Sequence, residues 1–224
     1  RQLIVETGAT RVIFGASAPL GLLAKQLRKL GVEHMVAFSH GHEAGWAITP
    51  VMRSALRRIG NSVDVVTYLG EYTRSKISPA FSPRAQTAMR QLAPAVDPEV
   101  FHPRNKEQAV QLRQEQNLAD KKLIVCVSRL MARKGQDQLI AAMPDIVAQV
   151  PDAQLVIVGG GSYEDKLHRS AATSSVPNHI TFTGKVPTEQ LPLWYAAADV
   201  FAMPCRTRNA GWDVEGLGIV YLEA

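Results

Sequence analysis

Leu123–Ile124–Val125–Cys126–Val127–Ser128–Arg129–Leu130–Met131–Ala132–Arg133–Lys134–Gly135 is the stretch that decides the fold. Its first five side chains are all apolar, with no alternation to leave a solvated face. Such a run is a strand buried on both sides, as in a parallel sheet covered by helices. The chain then turns through Arg129 and Lys134 to Gly135, and Gln136–Gln149 continues at helical spacing. Two cations beside the start of a helix, at the carboxyl end of a parallel strand, suit an anionic diphosphate. Taken alone, the same two cations also read as ordinary surface charge in a loop.

The pattern repeats on both sides. Downstream, strands are predicted at Gln154–Val158, Ile180–Thr183 and Val200–Met203, with helices over Tyr163–Ser170 and Thr188–Ala197 between them. Upstream lies a polar helix, Lys106–Asn117. Before it, Pro94, Pro98 and Pro103 fall within ten residues, which is linker chemistry. A first series of elements precedes the linker: strands Val12–Phe14, His34–Ser39, Val63–Leu69 and Met89–Leu92, with helices from Pro19 to Gly31, over Pro50–Ile59 and from Glu71. Alternating β and α elements predict an α/β protein of two doubly wound, Rossmann-like domains, 1–98 and 99–224, with ligands at the carboxyl ends of the strands. The first residues show no signal-peptide pattern, and Tyr221–Ala224 stops within what reads as a helix. Both ends are therefore expected to be truncated.

Composition sets outer limits. Hydrophobic residues make up 46% and charged residues 20% of 224, the balance of a globular chain. No apolar run reaches the ~18–20 residues that a membrane-spanning helix needs. Two cysteines, one in a buried strand, point to a reducing cytosol rather than a disulfide framework. The net charge of +5 suits an anionic partner. Arg53, Arg57 and Arg58 interleave with Val51, Met52, Leu56 and Ile59, which reads as a basic amphipathic helix on an anionic membrane surface, or as a solvated face over an ordinary core.

Other residues at predicted strand ends carry chemistry. Gly159–Gly160–Gly161 lets backbone approach a ligand, yet Glu164 stands where a dinucleotide fingerprint needs its third glycine. Glu215 and Glu223 are eight residues apart, which along a helix is about 12 Å of rise. That exceeds the ~5–9.5 Å of a glycosidase carboxylate pair, so they are expected to hold two ends of one elongated ligand. His40 ends a strand in His40–Gly41–His42–Glu43 and is a candidate base or electrostatic stabiliser. His-x-His-Glu has no third metal ligand at helical spacing. Asp97–Glu99 and Asp213–Glu215 are weak cation pairs, and no metal is expected.

Ser128–Arg129 with Lys134–Gly135, Val158–Gly161, Gly184–Lys185–Val186 and Glu215-x7-Glu223 together resemble the donor half of the family 4 retaining glycosyltransferases, which have the GT-B fold. His40–Gly41 with Glu43, and the segment from Pro94 to Pro103, resemble the same family's acceptor half. Phe14–Leu20 and His40–Glu43 are similar to its actinobacterial branch that adds mannose to phosphatidylinositol monomannoside. The resemblance implies GDP-mannose as donor, a phosphatidylinositol mannoside acceptor, an α-1,6 linkage and no metal. It implies a peripheral enzyme on the cytoplasmic face of the plasma membrane. Carried over by position, it implies that Arg129 and Lys134 neutralise the donor diphosphate and that Glu223 holds the ribose. Glu215 contacts the donor sugar, His40 faces that sugar, and backbone at Lys185–Val186 reads the base. Gly161 and the amides of Gly218, Ile219 and Val220 complete the donor contacts. A transferase with another donor or a soluble acceptor, and a non-catalytic nucleotide-sugar module, are the alternatives. A nicotinamide oxidoreductase lacks its glycine, and a nucleic-acid binder is suggested by charge alone.

Overall fold

The computed structural model describes residues 2–224, which form two compact units. The first contains the chain up to Pro94 together with Thr207–Leu217. The second contains Ala95–Arg206 and Gly218–Ala224. The division thus falls at Pro94/Ala95, four residues before the boundary read from the prolines, and eleven residues of the downstream half pack with the upstream unit.

In the first unit β1 (Arg11–Phe14), β2 (His34–Ala37), β3 (Val65–Tyr68) and β4 (Arg90–Gln91) form one parallel sheet in that order. The connecting helices are α2 (Ala24–Arg28), α3 (Glu43–Trp46), α4 (Pro50–Ser62), α5 (Glu71–Ile77) and α6 (Pro83–Thr87), with α1 (Gln2–Thr7) preceding the sheet. The helix expected after Pro19 is a 3-10 turn, Leu20–Leu23, that runs into α2. Met35, Ala37 and Val66 of the sheet meet Leu56 and Ile59 of α4 and Ile77 of α5 in a single core. Leu56 and Ile59 are fully buried. The apolar side of α4 is therefore spent on this core, and the amphipathic pattern of Val51–Ile59 is the mark of a helix lying on its own sheet. Of its apolar residues only Val51 stands well out in solvent, at 82% exposure.

The second unit has β5 (Lys122–Val127), β6 (Ala153–Val158), β7 (Ile180–Gly184) and β8 (Val200–Phe201), all parallel, in the order β7-β6-β5-β8. Side chains alternate along each strand, so one strand feeds two cores. Leu123, Val125, Val127, Val156 and Val158 join Trp194 and Tyr195 of α10 (Leu191–Ala197) and Leu112 of α7 (Lys106–Glu115). Leu155 and Ile157 turn the other way, to Ile140 and Met143 of α8 (Gln136–Gln149) and Leu167 of α9 (Glu164–Ala172). All six residues of β6 are buried, as a central doubly covered strand requires.

The final helix, α11, covers only Val220–Glu223. Glu215 lies in the preceding loop and belongs to the first unit, whereas Glu223 belongs to the second. The 12 Å helical spacing read between these two glutamates therefore does not apply. No helix among the described residues is long and apolar enough to cross a membrane.

Candidate functional site

The carboxyl edge of the second sheet builds a cavity. Beyond β5 the chain forms a short 3-10 turn, Ala132–Lys134, and Gly135 then sets the start of α8 with φ 81°. A side chain at Gly135 would also put its Cβ 2.0 Å from the Pro204 carbonyl, so only glycine lets the loop close here. Lys134 is buried at 8% exposure, and Arg129 is exposed at the rim. Gln136, fully buried, donates from Nε2 to Ser128 Oγ at 2.8 Å and to the Arg129 carbonyl at 3.1 Å. It ties the first turn of α8 to the loop that presents Arg129. Gly159 follows β6 with φ 134°, and a Cβ there would lie 2.1 Å from the Ser128 carbonyl. The two loops thus interlock through bare backbone.

The resulting cavity of about 380 Å³ is lined by Arg129, Gly159, Gly160, Lys185, Val186 and Glu223, with further valines and a leucine behind them. The volume lies within the range of small-ligand sites. An apolar slot bearing two cations, Arg129 and Lys185, and one carboxylate suits a flat heteroaromatic ring carrying a hydroxylated sugar and a phosphate. Among the sequence-predicted residues Arg129, Lys185, Val186, Val220 and Glu223 meet here. Lys134, Gly161, Gly218 and Ile219 do not line the cavity; Gly161 packs against Leu130, whose carbonyl would lie 2.4 Å from an added Cβ. Gly218 and Ile219 lead into α11, where Tyr221 donates its hydroxyl to the Met203 carbonyl.

Sequence reasoning passed over Tyr195. Its hydroxyl donates to Glu223 Oε2 at 2.6 Å, and its ring sits edge-on to Phe101. Burial, and then this bond to Glu223, push the phenol well above its ordinary range, so it remains a neutral donor. Cys126, on β5, is pushed up to about 12 by burial and is an inert core thiol. The spacing of twenty-eight residues between Tyr195 and Glu223 left no local signal of their bond.

The first unit holds the other two candidate residues. The turn after β2 is organised by Glu43, which is fully buried. Its Oε1 accepts from Ser17 Oγ at 2.7 Å. Its Oε2 accepts from Ser39 Oγ at 3.0 Å and from the His40 and Gly41 amides at 3.1 Å each. These bonds engage both carboxylate oxygens in holding the turn. His40 Nε2 lies 2.5 Å from the Gly15 carbonyl. A carbonyl only accepts, so that nitrogen carries a proton. Glu215 is close by in the fold, since the following Gly216 would place a Cβ 2.8 Å from the His40 carbonyl. In the linker, Asp97 Oδ1 accepts from the Glu99 amide at 2.9 Å. Among the described residues no three His, Cys, Asp or Glu side chains converge as a metal set would.

Two parallel sheets of this construction define the class. Over 99% of the chain the structure matches Anabaena HepE in complex with UDP, with a TM-score of 0.79 at 19% identity, covering 59% of that chain. A UDP-forming trehalose-phosphate synthase from Burkholderia xenovorans matches 95% of the chain, and 55% of its own, with a TM-score of 0.69 at 17% identity. The fold is that of the GT-B glycosyltransferases. A family profile described as glycosyl transferases group 1 covers residues 108–224, and the chain belongs to that family. It is 51% identical, over its whole length, to the GDP-mannose-dependent alpha-(1-6)-phosphatidylinositol monomannoside mannosyltransferase of Mycolicibacterium smegmatis. The identity is 44% to the corresponding monoacylated-acceptor enzyme of Corynebacterium glutamicum. The chain spans 58% of the length of each of these two relatives.

Proposed function

We propose that the chain belongs to a retaining α-mannosyltransferase that moves mannose from GDP-mannose to a phosphatidylinositol mannoside, forming an α-1,6 linkage. The observation that carries this reading is 51% identity along the whole chain to enzymes of that description, coinciding with a nucleotide-sized cavity beside Arg129. In this reading 99–224 serve the donor and 1–98 serve the acceptor. The base enters the slot of Val186, Glu223 takes the ribose hydroxyls, and Arg129 and Lys134 face the diphosphate. The acceptor hydroxyl attacks the anomeric carbon on the face from which GDP departs. The carbon–oxygen bond to the β-phosphate breaks, its electron pair leaves with GDP, and the acceptor proton passes to a phosphate oxygen. Charge grows on the departing phosphate, so the two cations stabilise the transition state more than the ground state. Glu215 and His40 contact the sugar, with no enzyme nucleophile and no metal required. Docking on the inner face of the plasma membrane is electrostatic, through Arg57 and Arg58, because the apolar face of α4 lies in the core.

Calorimetric titration of GDP, UDP and NAD, each with and without magnesium, tests the donor assignment. GDP is expected to bind alone and without magnesium dependence. A preference for UDP would keep the fold and overturn the mannosyl assignment; NAD binding would overturn the class. A second test concerns Tyr195. Tyr195→Phe frees one oxygen of Glu223 and is expected to weaken GDP about fivefold, the worth of a modest hydrogen bond. A 2′,3′-dideoxy analogue of GDP should bind wild type and variant alike. Equal loss with both nucleotides would show that Tyr195 packs without positioning the ribose contact.

A further inference from the structure

The first unit has a second concavity, at the opposite edge of its sheet from the His40 turn. A groove of about 980 Å³ runs between α2, the last turns of α4 and the start of α6. Lys25, Arg28, Lys29, Arg57, Arg58 and Arg84 line it, with Asp64 the one acid on its walls. Arg28 and Asp64 satisfy each other, Arg28 Nη2 lying 3.0 Å from both carboxylate oxygens. Asp64 also accepts from the Met35 amide at 2.7 Å. The other five cations have neither an ion pair nor a side-chain hydrogen bond among the described residues. Some arginines elsewhere in the molecule do find partners. Arg74 pairs with Glu71 at 2.9 Å, Arg113 with Asp199 at 2.8 Å, Arg206 with Asp137 at 2.5 Å, and Arg53 donates to the Pro79 carbonyl at 2.7 Å.

Like charges facing one concave wall repel, and the low-dielectric wall focuses their field. An anion of two or more charges relieves that repulsion. Neutral donors are also in place: Asn61 lines the groove, and because its Oδ1 accepts from Ser82 Oγ at 2.5 Å its amide NH₂ is left to donate elsewhere. The volume is at the upper end of the small-ligand range, more than one phosphate fills. The groove borders the amino end of β3, at Val63 and Asp64, whereas the His40 turn follows the carboxyl end of β2. Four strand residues separate the two edges by about 13 Å. A ligand in the groove is therefore not the group on which carboxyl-edge chemistry acts.

We propose that this groove is a binding site for a phosphorylated ligand with at least two negative charges, separate from the donor cavity and independent of its assignment. The phosphates could belong to a lipid surface or to a soluble phosphate ester. Inorganic pyrophosphate is the probe, titrated into the chain in an Arg129→Met, Lys134→Met background so that the clamp contributes nothing. One pyrophosphate is expected to bind per chain. Lys25→Glu with Arg84→Glu should weaken it at least tenfold, and the neutral Lys25→Gln, Arg84→Gln pair by less. All four side chains involved here and in the control are exposed, and an unchanged thermal midpoint confirms folding. The charge-matched control, Lys106→Glu with Arg169→Glu in the second unit, should change affinity less than twofold. No binding, or equal loss in both pairs, overturns the proposal, since net charge would then suffice. Flotation with phosphatidylcholine vesicles, with and without phosphatidylglycerol, identifies the source. Capture by anionic vesicles that pyrophosphate displaces assigns lipid phosphate; pyrophosphate binding without capture assigns a soluble ester. Both outcomes keep the site.

Discussion

Glu43→Ala is expected to destabilise the first unit by about 3–5 kcal/mol, the cost of leaving several buried donors without an acceptor. Four donors converge on this one side chain: two serine hydroxyls and the amides of His40 and Gly41. Alanine removes both acceptor oxygens at a site with no exposure, where water cannot easily substitute. Glu43→Gln keeps the shape and one carbonyl oxygen. That oxygen can still serve Ser39 and the two amides, and Ser17 can turn its hydroxyl to accept from the new NH₂. The loss should then fall to about 1–2 kcal/mol. Urea denaturation of the two variants measures both values. If Glu43→Ala costs less than Glu43→Gln, the carboxylate is not what holds the turn. The functional consequence follows from geometry, because the same bonds fix the backbone of His40. Glu43→Ala would thus lower transfer through His40, although Glu43 does not touch the substrate.

The parts of this molecule legible in its sequence are those whose cause is local. The apolar runs at Leu123–Val127 and Gln154–Val158 became β5 and β6 within a residue, because burial on both faces demands an unbroken run. Gln136–Gln149 came out as read, Pro144 included, because its apolar spacing and the glycine before it act within a few residues. What failed depended on distant partners. Glu215–Glu223 carries spacing that a helix could use, yet Gly216 sits against the Gly41 turn, 175 residues earlier in the chain. That contact draws Thr207–Leu217 into the first unit and leaves α11 a single turn. The basic helix shows the same limit from the other side. Its amphipathicity was legible, but only the fold tells whether the apolar face meets a bilayer or a sheet, and Leu56 and Ile59 meet the sheet. Gln136 and Tyr195 were missed as supports of the site because a glutamine or a tyrosine in a helix announces nothing until its partner is known.

Replacing the clamp cations should have the largest effect on ligand binding. Lys134→Met is expected to weaken GDP about 100-fold and Arg129→Met about tenfold, in keeping with charge-assisted bonds to a phosphate. The order follows from burial. Lys134 is 8% exposed, so its charge acts through a less polarisable medium, whereas Arg129 stands at the rim and is screened by solvent and salt. Methionine keeps the length and apolar stem of either side chain, so packing around the Ala132–Lys134 turn changes little. Guanosine, which has the base and ribose but no phosphate, provides the internal control. Its affinity should stay within twofold in both variants, because the Val186 slot and Glu223 are unaltered. Loss of guanosine and GDP together would mean that the loop after β5 has collapsed and would remove the phosphate assignment. In transfer assays the same substitutions should depress kcat more than substrate affinity, because the negative charge on the departing phosphate is largest at the transition state. A variant that lost GDP affinity and kept kcat would show that these cations bind the donor without assisting its departure, and the proton passed to the phosphate would then have to carry the leaving group alone.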